Sequence, residues 1–152
     1  MRKVGLLKRL YIRERVYRVE ALKEKNMTMN RKILVIDDDI ISQNLLRSTL
    51  TQAGYSVVVA SNGEEGIKIA SEQPPGLVVL DIMMPGLYGG EVAAILKSDP
   101  KTKDIPIIFL SSLITGKDRK ANSKKETIVY LSKPYNRDEL LNEVKKYFMG
   151  AN

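Results

Sequence analysis

Apolar runs alternate with amphipathic stretches from Lys32 to Phe148. The runs are rich in branched side chains, which predicts strands buried on both faces of a sheet. Between them, apolar residues recur at helical spacing, except in the polar segment 116–127, where a fourth helix would have little apolar face to bury. The predicted strands are 33–36, 55–60, 77–80, 106–110 and 127–131, and the predicted helices are 41–53, 63–73, 90–97 and 137–148.

Strands that alternate with helices predict parallel βαβ units and an α/β fold. We expect a doubly wound, flavodoxin-like (βα)5 three-layer sandwich, with a parallel five-stranded sheet in the order 2-1-3-4-5. In that order the first and third strands are neighbours at the switch point, where such folds bind their ligands. Asp37 and Asp38 follow the first strand and Asp81 follows the third. The three carboxylates should therefore share one crevice.

Carboxylates that share a crevice repel one another unless a cation compensates their charge. The sequence contains no histidine and no cysteine, so a metal site here would have oxygen ligands only. Such ligands favour a hard ion, and Mg²⁺ suits a site of few carboxylates that keeps bound waters. Asp39 is expected to face solvent or to cap the next helix. In the plainer interpretation, all these aspartates merely end strands and cap helices.

Four motifs at the strand ends together resemble the receiver domain of bacterial two-component response regulators, over about residues 31–149. Each motif is common by itself, but the ordered set is specific. The motifs are the acid cluster 37–39, DIMMPG at 81–86, PIIFLSS at 106–112 and YLSKP at 130–134.

The resemblance implies that Asp81 is the phosphoacceptor and that Mg²⁺ is the cofactor. It implies that Asp38, Asp81 and the backbone carbonyl of Met83 bind the metal, while Asp37 orients a metal-bound water. A receiver of this kind catalyses only its own phosphorylation and slow dephosphorylation. Its output is therefore binding and not enzymatic turnover.

The resemblance also assigns roles at the ends of the fourth and fifth strands. Lys133 and the hydroxyl of Ser111 would bind phosphoryl oxygens, and the Lys133–Pro134 peptide would be cis. Ser111 and Tyr130 would form the switch that carries the signal outward. The plainer alternative for Tyr130 is an ordinary core aromatic on a strand.

The net charge of +7 belongs mainly to the first 29 residues, which have nine Lys+Arg and three Glu, whereas residues 30–152 have 16 Lys+Arg and 15 Asp+Glu. We expect a basic extension over 1–30 and a receiver domain over 31–150. The extension has no apolar run long enough for a membrane span or a signal peptide. Its apolar residues scatter around a helical wheel, with Ile12 opposite Leu7. Three interpretations fit this sequence. The extension could be a frayed helix or disordered arm, or a basic arm that binds a partner or a membrane surface, or the product of a mis-called start at Met27 or Met29.

The expected function is that of a stand-alone, chemotaxis-regulator-like receiver in the cytoplasm. It would take its phosphoryl group from a sensor histidine kinase or a histidine phosphotransfer protein. It would then bind a downstream protein, expected to be acidic because segment 116–127 is basic. No DNA-binding helix pair is recognisable after residue 149.

Two other functions fit parts of the sequence. The unusual segment 116–127 would suit a phosphorylation-independent pseudo-receiver or scaffold. An aspartyl-phosphate phosphohydrolase of the haloacid-dehalogenase kind needs a D-x-D motif after its first strand, and residues 36–39 lack the partner motifs of that class.

Overall fold

Five parallel strands form one sheet in the order β2-β1-β3-β4-β5, as the sequence predicts. The computed structural model describes residues 2–113 and 128–149, apart from the side chains of residues 2, 3 and 25–30. The strands are β1 Lys32–Ile36, β2 Ser56–Ala60, β3 Leu77–Asp81, β4 Ile107–Ser111 and β5 Ile128–Ser132, and the helices are α1 Arg2–Asn30, α2 Ile40–Gln52, α3 Gly63–Glu72, α4 Gly89–Ser98 and α5 Arg137–Met149.

Alternate residues of the central strands belong to two apolar cores, one on each face of the sheet. Leu34 and Ile36 of β1 belong to the core that includes α3 and α4 side chains. Ile33 and Val35 belong to the opposite core, which includes side chains of α2 and α5. All four are fully buried. Successive side chains of a strand point to opposite faces, so a strand covered on both sides must be apolar throughout. The predicted three-layer sandwich is confirmed.

Local signals in the sequence set several element ends. Asp39 caps α2 by accepting hydrogen bonds from the N–H groups of Ile41 and Ser42, which confirms the predicted cap. Asn62 caps α3 through the N–H of Glu65. After α2, Gly54 adopts a φ of 92° that L side chains rarely adopt. Most predicted bounds differ from the observed ones by one residue, the usual uncertainty of fraying ends.

Helix α1 is longer than the amphipathic receiver helices and has a different environment. Every side chain from residue 4 to residue 24 is exposed. None of the described helices is both long and apolar enough to cross a membrane. The division between extension and domain at residue 30 stays a prediction. The predicted weak helix in segment 116–127 lies outside the described residues.

Candidate active site at the carboxyl edge of the sheet

The carboxyl ends of β1 and β3 bring three acids together. Ile36 pairs with Leu80 across the two strands, so Asp37 and Asp81, one residue further on, are neighbours. Carboxylate oxygens of Asp37, Asp38 and Asp81 all lie within 4.8 Å of one another. Asp37 and Asp81 are buried, whereas Asp38 is exposed. The predicted convergence of these three acids in one crevice is confirmed.

Asp37 is held by four neighbouring groups. Its carboxylate accepts hydrogen bonds from the N–H of Asp39 at 2.9 Å, the hydroxyl of Ser42 and the Lys133 ammonium at 3.2 Å. Its backbone carbonyl accepts a hydrogen bond from the Gln43 amide at 2.6 Å. Two of these donors, Ser42 and Gln43, lie on the first turn of α2 and were missed by the sequence analysis. The signal that could have identified them is that both are polar residues at the start of a helix that follows an acid cluster.

Lys133 brings a positive charge to the acids from β5, at the far end of the chain. Its ammonium lies 3.2 Å from an Asp37 oxygen and 3.6 Å from an Asp81 oxygen. Its backbone N–H donates to the carbonyl of Ser111 at 2.8 Å, and the Lys133–Pro134 peptide is cis, as the resemblance implied. The distances to Asp37 and Asp81 show that the Lys133 ammonium points into the crevice.

Several opposing effects act on the pKa of Asp81. Burial raises this pKa, and the charge of Lys133 lowers it. The charge of Asp37 raises the pKa, the N–H of Met83 lowers it through a hydrogen bond of 3.4 Å, and the charge of Asp38 raises it. The net shift is upward. Keeping Asp81 ionised in this crevice therefore costs free energy, because burial and the neighbouring acids outweigh the charge of Lys133 and the Met83 hydrogen bond.

The donor set of the crevice fits Mg²⁺. The three carboxylates offer hard oxygen ligands, and the raised pKa of Asp81 indicates that more positive charge would be favourable here. Exposure of Asp38 leaves one side of the site open, as an ion that keeps several waters requires. The assignment of individual ligands, including the carbonyl of Met83 and the water on Asp37, stays a prediction.

Ser111 and Tyr130 lie on β4 and β5 near the same edge of the sheet. Ser111 is fully buried, and its hydroxyl accepts a hydrogen bond from the N–H of Leu113 at 3.1 Å. The Tyr130 ring stacks on Phe109, with centroids 5.1 Å apart, and the residue remains 42% exposed. Tyr130 is therefore a surface aromatic in this structure. The roles of both residues in a switch stay predictions.

Two further residues lie at the site, and the sequence pattern predicted neither of them. Gly89 begins α4 against the end of β3, and a Cβ on it would lie 2.5 Å from the carbonyl oxygen of Asp81. The Tyr135 hydroxyl is buried and has no hydrogen-bond partner among the described residues. Burial raises the pKa of Tyr135 to about 12, and the negative charge of Asp37 adds to the rise.

Comparisons with known proteins agree with this geometry. Residues 33–145 match the family described as the response regulator receiver domain. A probable transcriptional regulator, ycf27, of Cyanophora paradoxa is 42% identical over 110 residues, which cover 72% of this chain and 45% of that protein. The chain spans about half the length of the curated relatives it matches.

The matches to solved structures of similar fold cover nearly the whole of the solved chains. Response regulator protein TrrA of Thermotoga maritima, solved in complex with Mg²⁺-BeF, is 38% identical with a TM-score of 0.65, and the match covers 77% of this chain and 98% of that one. Chemotaxis protein CheY4 of Vibrio cholerae is 27% identical with a TM-score of 0.66, and that match covers 76% and 97% of the two chains.

Proposed function

The chain belongs to the response regulator receiver domain family, and on this premise we propose that Asp81 accepts a phosphoryl group from a phosphohistidine. The donor would be a sensor histidine kinase or a histidine phosphotransfer protein. One observation carries the proposal: Asp81 ends the central strand β3 inside the acid crevice, with the Lys133 ammonium 3.6 Å from its carboxylate. The Asp81 carboxylate can act as the nucleophile, and the nearby Lys133 ammonium offers positive charge to the phosphoryl oxygens.

In the proposed transfer, an oxygen of the Asp81 carboxylate attacks phosphorus as the bond from phosphorus to the histidine nitrogen breaks. Lys133 would then leave the acids and bind one phosphoryl oxygen, and the Ser111 hydroxyl would bind another. The N–H of Met83 already donates to Asp81 Oδ1 and fixes the carboxylate. Phosphoryl transfer needs mainly in-line positioning and compensation of charge, and these residues supply both.

Mg²⁺ is the proposed cofactor, held by Asp38, Asp81 and the carbonyl of Met83, with Asp37 orienting a bound water. When bound, it supplies positive charge that stabilises the phosphoryl oxygens during transfer. The solved complex of TrrA with Mg²⁺-BeF, at 38% identity, supports this choice of ion. The three clustered carboxylates of this chain offer matching ligands.

The proposed output is binding to another protein and not enzymatic turnover. A phosphoryl group adds about −1.5 to −2 charges at neutral pH and can favour one of two surface arrangements. Ser111 and Tyr130 lie on adjacent paired strands and would link Asp81 to that surface. The ycf27 and RpaA relatives carry names of transcriptional regulators, which describe those longer proteins.

The test is the intact mass of the full chain after incubation with Mg²⁺ and acetyl phosphate. We expect a gain of one phosphoryl group that disappears in Asp81→Asn and on chelation of the metal. Asp39→Asn is the matched control, because Asp39 caps α2 outside the three-acid cluster and asparagine caps helices equally well.

A gain in mass that survives in Asp81→Asn would overturn the assignment of the phosphoacceptor. No gain, in a protein that binds Mg²⁺ by calorimetry, would favour the phosphorylation-independent scaffold. Release of phosphate from a phosphomonoester over many turnovers would favour the phosphohydrolase.

A further inference from the structure

The amino-terminal helix α1 exposes an apolar surface that the receiver does not use. Val4, Leu6, Leu7, Leu10 and Tyr11 are each 52–66% exposed. In a helix, residues three, four and seven apart lie on one face. Val4, Leu7 and Tyr11 therefore form one row, and Leu6 and Leu10 form the row beside it. We call these five residues the apolar arc.

Basic residues border the apolar arc along the row of Leu6 and Leu10. Arg9 is three residues from Leu6 and Arg13 is three residues from Leu10, so both lie beside that row. Residues 2–13 carry five Lys+Arg and no acid, whereas residues 14–30 carry four Lys+Arg and three Glu. The positive charge is thus densest in the turns that carry the arc.

The arc ends where the charge pattern changes. Glu14 and Arg18 occupy the next positions on its face, and a second apolar row, Ile12, Val16 and Val19, lies on the other side of the helix. The apolar residues therefore change face along the helix, which explains why the sequence of α1 as a whole shows no continuous apolar stripe. The amphipathic unit is the segment from Val4 to Tyr11.

Cationic groups border the arc. A shallow groove on this face is lined by Lys8 and Glu14 beside four apolar residues. The Arg15 guanidinium lies 5.6 Å from the centre of the Tyr11 ring. Long basic side chains at the edge of an apolar surface can hold their charge in water while their stems cover that surface.

We propose that the segment from Val4 to Tyr11 binds the surface of a bilayer that contains anionic lipids. The partner must present negative charge directly above an apolar layer, along about 12 Å of helix. A bilayer of acidic phospholipids has this structure, and basic amphipathic helices lie in its interface. The segment is too short to span a hydrocarbon core of about 30 Å. This binding is independent of phosphorylation at Asp81.

The test is partition of the full chain onto sedimenting vesicles. The vesicles contain equal parts of phosphatidylglycerol and phosphatidylcholine, or phosphatidylcholine alone. We expect binding to the anionic vesicles and little to the neutral ones. Binding should weaken steeply as salt rises, because the Debye length falls from about 10 Å at 0.1 M to about 3 Å at 1 M.

Two substitutions on opposite faces of the helix form a matched pair. Leu7→Ser removes an arc residue, and we expect about tenfold weaker partition because less apolar area enters the interface. Ile12→Ser is the control, since Ile12 is 59% exposed but lies away from the arc. It should change partition less than twofold.

The charge is tested by the double substitution Arg9→Gln and Arg13→Gln. Each basic residue near an anionic surface contributes roughly a fivefold factor, so we expect about 25-fold weaker partition. Asp81→Asn should bind as the wild type does. Circular dichroism of each variant checks that the receiver remains folded.

Three outcomes would overturn the proposal. One is the absence of binding to anionic vesicles, and the second is an equal loss in Leu7→Ser and Ile12→Ser. The third is tight binding to polyglutamate that vesicles do not compete with, which would assign α1 to an acidic protein partner.

Discussion

At the scale of single residues, Tyr135 has a buried hydroxyl without a described hydrogen-bond partner. Such a group costs about 1–3 kcal/mol of stability. We expect Tyr135→Phe to raise the free energy of unfolding at pH 7 by about 1 kcal/mol, measured by urea denaturation. Tyr17→Phe is the control, because Tyr17 is 59% exposed and should change stability by less than about 0.5 kcal/mol.

The pH dependence of Tyr135 gives a second measurement on the same variant. Because the pKa of Tyr135 rises from 10.0 to about 12 in the fold, the folded state favours the neutral phenol. That contribution to stability is fully present below pH 10 and is lost as pH rises through about 12. The stability advantage of Tyr135→Phe should therefore grow over this range. An equal loss of stability in both proteins would contradict the assignment.

At the scale of elements, the junction of β3 and α4 depends on Gly89, the first of the two adjacent glycines Gly89 and Gly90. A Cβ at Gly89 would meet backbone atoms, 2.5 Å from the Asp81 carbonyl oxygen and 2.8 Å from the Ile82 Cα. Backbone cannot move aside as a side chain can. Gly89→Ala should therefore lower the free energy of unfolding by about 1–3 kcal/mol and displace the strand end that carries Asp81.

Gly90 supplies the matched control in the same helix. A Cβ at Gly90 would meet nothing within 4 Å. Alanine favours a helix interior over glycine by about 1 kcal/mol, so Gly90→Ala should be neutral or stabilising. Thermal unfolding and phosphorylation by acetyl phosphate would be measured on both variants. Equal effects of the two substitutions would show that the close contact at Gly89 does not limit this junction.

At the scale of the whole molecule, the acid crevice links metal binding to global stability. Burial raises the pKa of Asp81, so the metal-free fold favours its neutral form. That contribution is present below the unfolded pKa of 3.8 and is lost as pH rises through the folded value. Near pH 7, without metal, Asp81→Asn should therefore be more stable than the wild type.

Mg²⁺ should reverse this order. A ligand that binds only the folded state at 100 times its dissociation constant adds about 2.7 kcal/mol. We expect Mg²⁺ to raise the melting temperature of the wild type and of Asp39→Asn, and to raise that of Asp81→Asn far less. The measurement is thermal unfolding with Mg²⁺ or a chelator. An equal rise in all three proteins would place the metal outside the crevice.

Much of the fold and the composition of the site could be read from local sequence. Apolar runs are a local pattern, and they located the strands to within about a residue. The position of Asp81 at a strand end, and the cap formed by Asp39, also depend only on near neighbours. Because parallel strands place their carboxyl ends along one edge, strand order then sufficed to predict that Asp37, Asp38 and Asp81 meet.

Contacts between distant segments depend on how the chain folds. Lys133 reaches Asp37 across 96 positions of sequence, and the close approach of Gly89 to Asp81 depends on how α4 packs on β3. The burial of Tyr135 likewise follows from its packing against the core that includes side chains of α2 and α5. Local sequence specifies which residues end strands and which carry charge, because hydrophobic periodicity sets the first and residue type the second. Only the folded chain decided which groups touch, because distance and burial depend on how the elements pack.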